Sequence, residues 1–256
     1  MSRPSQREEN LRRFHAARPG ITSRAFARGG SYERLAGLVA PGAAVLDLGC
    51  GDGYLVELLV DRGCRVIGID PSPEELALAL ARENVRRITS PERHRYVRGR
   101  AQALPLGDHS LDVVVCHLAF MLLDDLEQVV AELVRVLVPG GRFIAVLGGG
   151  PTAHGNDAFH RFLAIAGPRL RGLGLGDPRA RTEAGWRALF ATWRDVRFER
   201  HELDLSGGFD EVWQFLGASY ELEHVDRDAI RDELRDQAPQ GRVTCHAVIW
   251  IATATV

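Results

Sequence analysis

The sequence predicts an α/β protein built on a parallel, doubly wound sheet. Three observations carry that expectation. Short apolar runs alternate with amphipathic helical stretches between residues 44 and 147. One run, Leu111–Cys116 (LDVVVC), is continuously apolar after its second residue, as expected for a strand covered on both faces. The stretch VLDLGCGDG, from Val45 to Gly53, reads as a buried strand that enters a tight glycine turn and leaves it as a helix.

Taken in order, residues 1–40 form a helical flap. A polar helix runs to Arg18, with Pro4 in its first turn and Pro19-Gly20 as its stop. A second, short helix follows Thr22, whose hydroxyl is a candidate cap. A third covers Ser31–Val39, with Tyr32, Leu35, Leu38 and Val39 on its apolar face. The flap is either a packing arm or a lid over the glycine loop. Residues 41–147 form the core of the sheet, with strands at Ala44–Leu48, Arg65–Ile69, Tyr96–Val97, Leu111–Cys116 and Arg142–Leu147. Helices lie between them at Asp52–Arg62, after Asp70, and at Leu126–Val138. The middle one opens on DPSPEE, with Ser72 as cap, Pro73 in the first helical position and Glu75 completing a capping box. Residues 148–256 add helices at Asp157–Ala166, Arg181–Thr192, Phe209–Leu222 and Asp226–Gln237, and strands at Val196–Leu205 and His246–Thr253. The whole reads as one domain, 1–256.

Composition narrows the class. The chain is 45% hydrophobic and 26% charged, with a formal net charge of -2, which argues against a dedicated nucleic-acid binder. All 32 basic residues are arginine, which reads as a GC-rich coding bias. Cys50, Cys64, Cys116 and Cys245 are scattered, which supports neither a metal site nor a disulfide framework. No signal core and no run of membrane-spanning length is present, so a cytoplasmic protein is expected.

The glycine loop binds a ligand, and its spacing restricts which. Dinucleotide sites read G-x-G-x-x-G, whereas Gly49, Gly51 and Gly53 give G-x-G-x-G. A P-loop needs a lysine, and the chain has none. Asp47, at the end of the first strand, is a poor neighbour for pyrophosphate and a good one for a cationic ligand end. Asp70, at the end of the second strand, is placed to accept both hydroxyls of a ribose.

VLDLGCGDG, then VIGIDPS, then RGRAQALPLGDHSLDVVVCHLAFMLL, then a helix ending LVPGGRF, together resemble the successive motifs of class I S-adenosylmethionine-dependent methyltransferases, in register over about residues 44–147. The resemblance implies a Rossmann-like, seven-stranded, mostly parallel sheet whose last strand is antiparallel. It implies S-adenosyl-L-methionine as cofactor. Gly49, Cys50, Gly51 and Gly53 would wrap the methionine part, with Asp47 near its ammonium, and Asp70 would bind the ribose. Pro71 or Ser72 would border the adenine, Ala101 and Gln102 would lie at its edge, and His117 and Leu118 would border the methionine and the transferable methyl. Arg100 departs from the pattern: many relatives carry there an acid that accepts from the adenine amino group, and arginine cannot accept.

Methyl transfer needs a base only when the acceptor carries a proton on the attacking atom. His15, His117, His154, His160, His224 and Tyr220 are candidates, and His117 and His154 are put forward as catalytic. No metal is expected, because the histidines lack partner ligands at convincing spacing. Nucleic-acid methyltransferase signatures are absent past strand four, where the chain reads Cys-His-Leu-Ala. A small-molecule acceptor in bacterial specialised metabolism is the expectation, with a monomer or homodimer and no nucleic-acid or membrane partner. A cyclase-type, non-methylating enzyme and an RNA or protein methyltransferase are the alternatives.

Overall fold

The computed structural model describes residues 5–86, 91–153, 155–172 and 174–256. Seven strands form one sheet: β1 (Ala44–Leu48), β2 (Arg65–Asp70), β3 (His94–Arg98), β4 (Leu111–His117), β5 (Leu137–Pro151), β6 (Arg194–Asp204) and β7 (His246–Thr255). Their order is β3-β2-β1-β4-β5-β7-β6. All pairs from β3 to β5 are parallel, and β7 runs antiparallel to both β5 and β6. The expected Rossmann-like sheet with an antiparallel last strand is therefore present. The strand order reverses at β1/β4, and in open α/β sheets that switch point is where a crevice opens at the carboxyl ends.

Ten helices among the described residues surround the sheet. They are α1 (Gln6–Ala17), α2 (Ile21–Phe26), α3 (Ser31–Gly37), α4 (Tyr54–Asp61), α5 (Pro73–Arg86), α6 (Leu126–Val136), α7 (Ala158–Ala166), α8 (Glu183–Leu189), α9 (Phe209–Leu216) and α10 (Arg227–Asp236). One face of the sheet packs Val45, Val66, Val113 and Ile144 against α3, α4, α7, α9 and α10. The other packs Leu46, Val114 and Phe143 against α6 and α8. There Trp186 stacks on Phe143 at 5.6 Å between ring centres. Aromatic rings bury large areas and so contribute strongly to core stability.

Four local expectations are corrected. The helix expected over Leu126–Val138 stops at Val136, because Leu137 is already extended and pairs with Leu111. The helix expected over Phe209–Leu222 ends at Leu216, and a separate 3-10 turn covers Tyr220–His224. Thr22 caps nothing: α2 starts at Ile21 behind Gly20, which is left-handed at φ 70°. Only half of the Ser72 capping box forms. The Ser72 hydroxyl accepts from the Glu75 N–H at 3.3 Å, but the Glu75 carboxylate turns inward to Gly20 and His15. Pro4 lies outside the described residues.

Candidate active site

The sequence VLDLGCGDG folds as expected, with β1 ending at Leu48 and the glycine turn leading to α4. Gly49 (φ 74°) and Gly51 (φ 52°) sit in the left-handed region that β-carbons disfavour. A Cβ on Gly49 would stand 2.6 Å from that of Ala119, so this approach requires glycine. Across the switch point, Leu118 also holds a positive φ of 59°, a strained state for leucine. Its N–H is fixed to the Val146 carbonyl at 2.8 Å, which turns the chain sharply at the end of β4.

A cavity opens here. Asp47, Gly49, Cys50, Gly51, Asp70, His117 and Leu118 all line it. Pro71 and Gln102 line a neighbouring cavity together with Arg100. Gly53, Ser72 and Ala101 line neither: Gly53 begins α4 under Tyr96, and Ala101 is buried. Ser72 is buried and donates its N–H to Asp70 Oδ1 at 2.9 Å. Asp70 Oδ2 accepts from the Gly51 N–H at 3.0 Å. Each carboxylate oxygen keeps a second lone pair for a ligand hydroxyl. Burial raises the Asp70 pKa, against the lowering pull of those two N–H donors.

Asp47 is 1% exposed, and its Oδ2 has no partner among the described residues. Burial, then the charges of Asp70 and Asp52, push its pKa well up. An orphaned buried carboxylate oxygen in a cavity wall is a socket for a cation. Gln102 offers a second orphan. Its amide donates to the Asp124 carbonyl at 2.8 Å, while its buried Oε1 has no partner among the described residues.

The flap closes over this cavity, since His15, Gly20, Thr22 and Ser23 line it from above. It is tied down by polar contacts to the loop it covers. Ser23 donates to Asp52 at 2.6 Å, and Gly20 N–H donates to Glu75 Oε2 at 2.8 Å. Arg100 pairs with Glu8 of α1 through two bonds of 3.0 and 2.6 Å. Position 100 thus binds the flap.

The sequence did not reveal one assembly. His15 Nδ1 lies 2.7 Å from Glu75 Oε1, and His15 Nε2 lies 3.1 Å from the Tyr220 hydroxyl. An ionised carboxylate only accepts, so Nδ1 donates to Glu75, and in the neutral ring Nε2 is then the acceptor that faces the Tyr220 hydroxyl. His15 and Tyr220 are both recognisable as bases in the sequence, but no spacing links positions 15, 75 and 220. Burial raises the Tyr220 pKa to about 12.

The other histidines fall elsewhere. His117 ends β4, stacks on Tyr32 at 3.6 Å and shares a 2.9 Å hydrogen bond with the Ser31 hydroxyl. Burial lowers its pKa to about 3, so it is neutral at physiological pH. His154 lies outside the described residues. His160 has both ring nitrogens engaged, by Asp157 at 2.8 Å and the Thr152 carbonyl at 3.0 Å. That is a structural arrangement. Asp157 caps α7 and also accepts from the His246 N–H at 2.7 Å. Asp157→Ala should lower stability by about 2 kcal/mol, one cap plus one buried hydrogen bond, as read by urea unfolding. Burial raises the Asp157 pKa, but bonds from His160 and His246 outweigh it and leave it lowered. Its stabilisation is therefore present above the ordinary carboxylate range and lost as pH falls through the depressed value.

Beyond Leu118 a second, apolar cavity of about 360 Å³ begins, walled by Phe26, Phe159, Phe162, Phe215 and Met121. It shares Thr22, Leu118 and Tyr220 with the first. The break after α9 puts Tyr220 at this junction.

Residues 46–145 match the family described as "Methyltransferase domain". Over these residues the chain carries a methyltransferase domain. Malonyl-[acyl-carrier protein] O-methyltransferase of Serratia marcescens is 36% identical over 111 residues, 43% of this chain and 40% of that protein. The chain spans less than half the length of the first curated relatives it matches. A putative methyltransferase from Bacillus halodurans shares the fold at a TM-score of 0.61 and 19% identity, covering 89% of this chain and 99% of that one. Geranyl diphosphate C-methyltransferase from Streptomyces coelicolor, solved with S-adenosyl-L-homocysteine, does so at 0.54 and 18%, covering 90% and 78%. The methyltransferase family's cofactor, S-adenosylmethionine, fits the residues present. The orphaned Asp47 oxygen suits its ammonium, Asp70 its ribose diol, and Gln102 Oε1 an amino group at the adenine edge.

Proposed function

We propose that the protein transfers a methyl group from S-adenosylmethionine to a small-molecule acceptor. The observation that carries this is the junction at Thr22, Leu118 and Tyr220, where a polar, carboxylate-walled cavity meets an apolar one. Bound in the first cavity, the cofactor supplies an electrophilic methyl on a sulfonium. The chain's own residues then align the acceptor against it and exclude water. The acceptor's proton passes to the Tyr220 oxygen as the tyrosine proton passes to His15 Nε2, with Glu75 holding the imidazole. His117, neutral and confined to the cofactor side, borders the methionine end. Because His15 belongs to α1, this relay is complete only with the flap down, which couples closure to chemistry. Specialised metabolism is the setting we favour, supported by the apolar acceptor cavity.

Incubation with methyl-labelled S-adenosylmethionine and a panel of small apolar acceptors tests the reading. Label should enter an extractable product with equimolar S-adenosylhomocysteine. Conversion without label would place the protein with the cyclases, and cofactor binding without turnover on any acceptor would count against transfer. Arg100→Ala should speed cofactor release about 2- to 5-fold in stopped flow, because a partly buried surface ion pair contributes about 0.5–1 kcal/mol. An unchanged release rate would show that the Glu8 contact does not hold the flap.

A further inference from the structure

The apolar cavity has one cationic group in its lining. Arg181, just before α8, lines it and also lines an adjoining cavity that includes Arg7 and the Gly174–Gly176 turn. Its guanidinium is held loosely: Nη1 lies 3.5 Å from Met121 Sδ and Nη2 donates to the Leu175 carbonyl at 3.4 Å. Among the described residues it has no ion-pair partner, whereas nearby Arg179 is clamped by Asp177 at 2.6 Å and Glu127 at 2.7 Å. The one acidic side chain in the same linings is Glu221, which is exposed and acts on Arg181 only at longer range. A guanidinium left with a thioether and a carbonyl in a cavity lining keeps its charge-assisted donors available.

The lining of this cavity is therefore of three kinds. Leu118 and Tyr220 join it to the cofactor side, Arg181 supplies a cation beside Met121, and the rest of the wall is largely aromatic and aliphatic. We infer that the acceptor is an amphipathic anion: an apolar body lies along Phe159, Phe162 and Phe215, a carboxylate or phosphate pairs with Arg181, and the nucleophilic atom reaches Tyr220. This rests on the methyl-transfer reading for the third element only; the anionic anchor is a property of the cavity itself. A phosphate and a carboxylate share the recognition chemistry.

Calorimetry in the presence of saturating S-adenosylhomocysteine separates the possibilities, with decanoate, decyl phosphate and decanol as probes. Wild type should bind at least one of the two anions about 10-fold or more tightly than decanol, and the stronger anion names the headgroup. Arg181→Ala should bring that anion to the level of decanol while leaving decanol and S-adenosylhomocysteine affinity unchanged. Arg181→Lys should restore part of the preference, and Arg181→Gln provides a polar, uncharged control with intact melting temperature. Equal affinity for anions and alcohol, a preference that survives Arg181→Ala, or no binding of any probe would overturn the inference. Failure of S-adenosylhomocysteine itself to bind would instead strike the methyl-transfer reading, and the anion preference would then be read without it.

Discussion

Asp70→Ala should weaken S-adenosylhomocysteine binding by about 100-fold or more, because two hydrogen bonds to an ionised carboxylate together contribute about 3 kcal/mol or more. The geometry behind this is specific. Asp70 ends β2 with its oxygens already oriented by Gly51 and Ser72 N–H groups, so a ribose meets an acceptor pair that needs no reorganisation. The variant also loses the tie to Gly51, so melting must show that the fold survives. The pH dependence follows from the charge state. Burial raises the pKa of Asp70 and, well above the ordinary range, that of Asp47, and both must be ionised to hold diol and ammonium. Affinity should therefore fall on acidification, beginning above the usual carboxylate range near 4. Calorimetry across pH checks the sign; affinity flat down to pH 4 would remove both carboxylates from the site.

Tyr220→Phe should reduce methyl transfer by about 100-fold or more, the usual range for one general acid–base group, with S-adenosylhomocysteine affinity kept within about 3-fold. The variant leaves the ring in contact with Phe14 and removes only the oxygen that faces His15. His15→Ala should give a similar loss, and the double variant should be little worse than either, since the residues act as one unit. A purely structural tyrosine would show its loss in melting temperature and cofactor affinity rather than turnover. Additive losses would mean that Tyr220 and His15 work separately.

What was legible in the sequence follows from the range of the forces involved. The core from β1 to β5 was readable because its signals are local: apolar runs, the glycine turn and the carboxylates at two strand ends. Asp47, Gly49, Gly51 and Asp70 sit together because consecutive parallel strands must bring their carboxyl ends to one edge. The strand ends of β5 were not readable, since Gly148–Pro151 looks like a loop and is held extended only by pairing with β7. The helix break at Gly217 likewise depends on tertiary contact, as Arg227 satisfies the Gly217 carbonyl at 2.6 Å. Glu75 looked like a cap because Ser72 precedes it by three residues, and its inward turn depends on a flap sixty residues upstream. Arg100 was legible as a departure from the family pattern. Its meaning came only from Glu8, which lies opposite it in space.

The proposed site for S-adenosylmethionine is the glycine loop with its carboxylates. Titrating the wild-type protein with S-adenosylhomocysteine in a calorimeter tests it most directly. Saturable binding at one site per chain is expected, abolished or strongly weakened in Asp70→Ala. No heat from folded wild type at millimolar ligand, or undiminished binding by the folded variant, would contradict it.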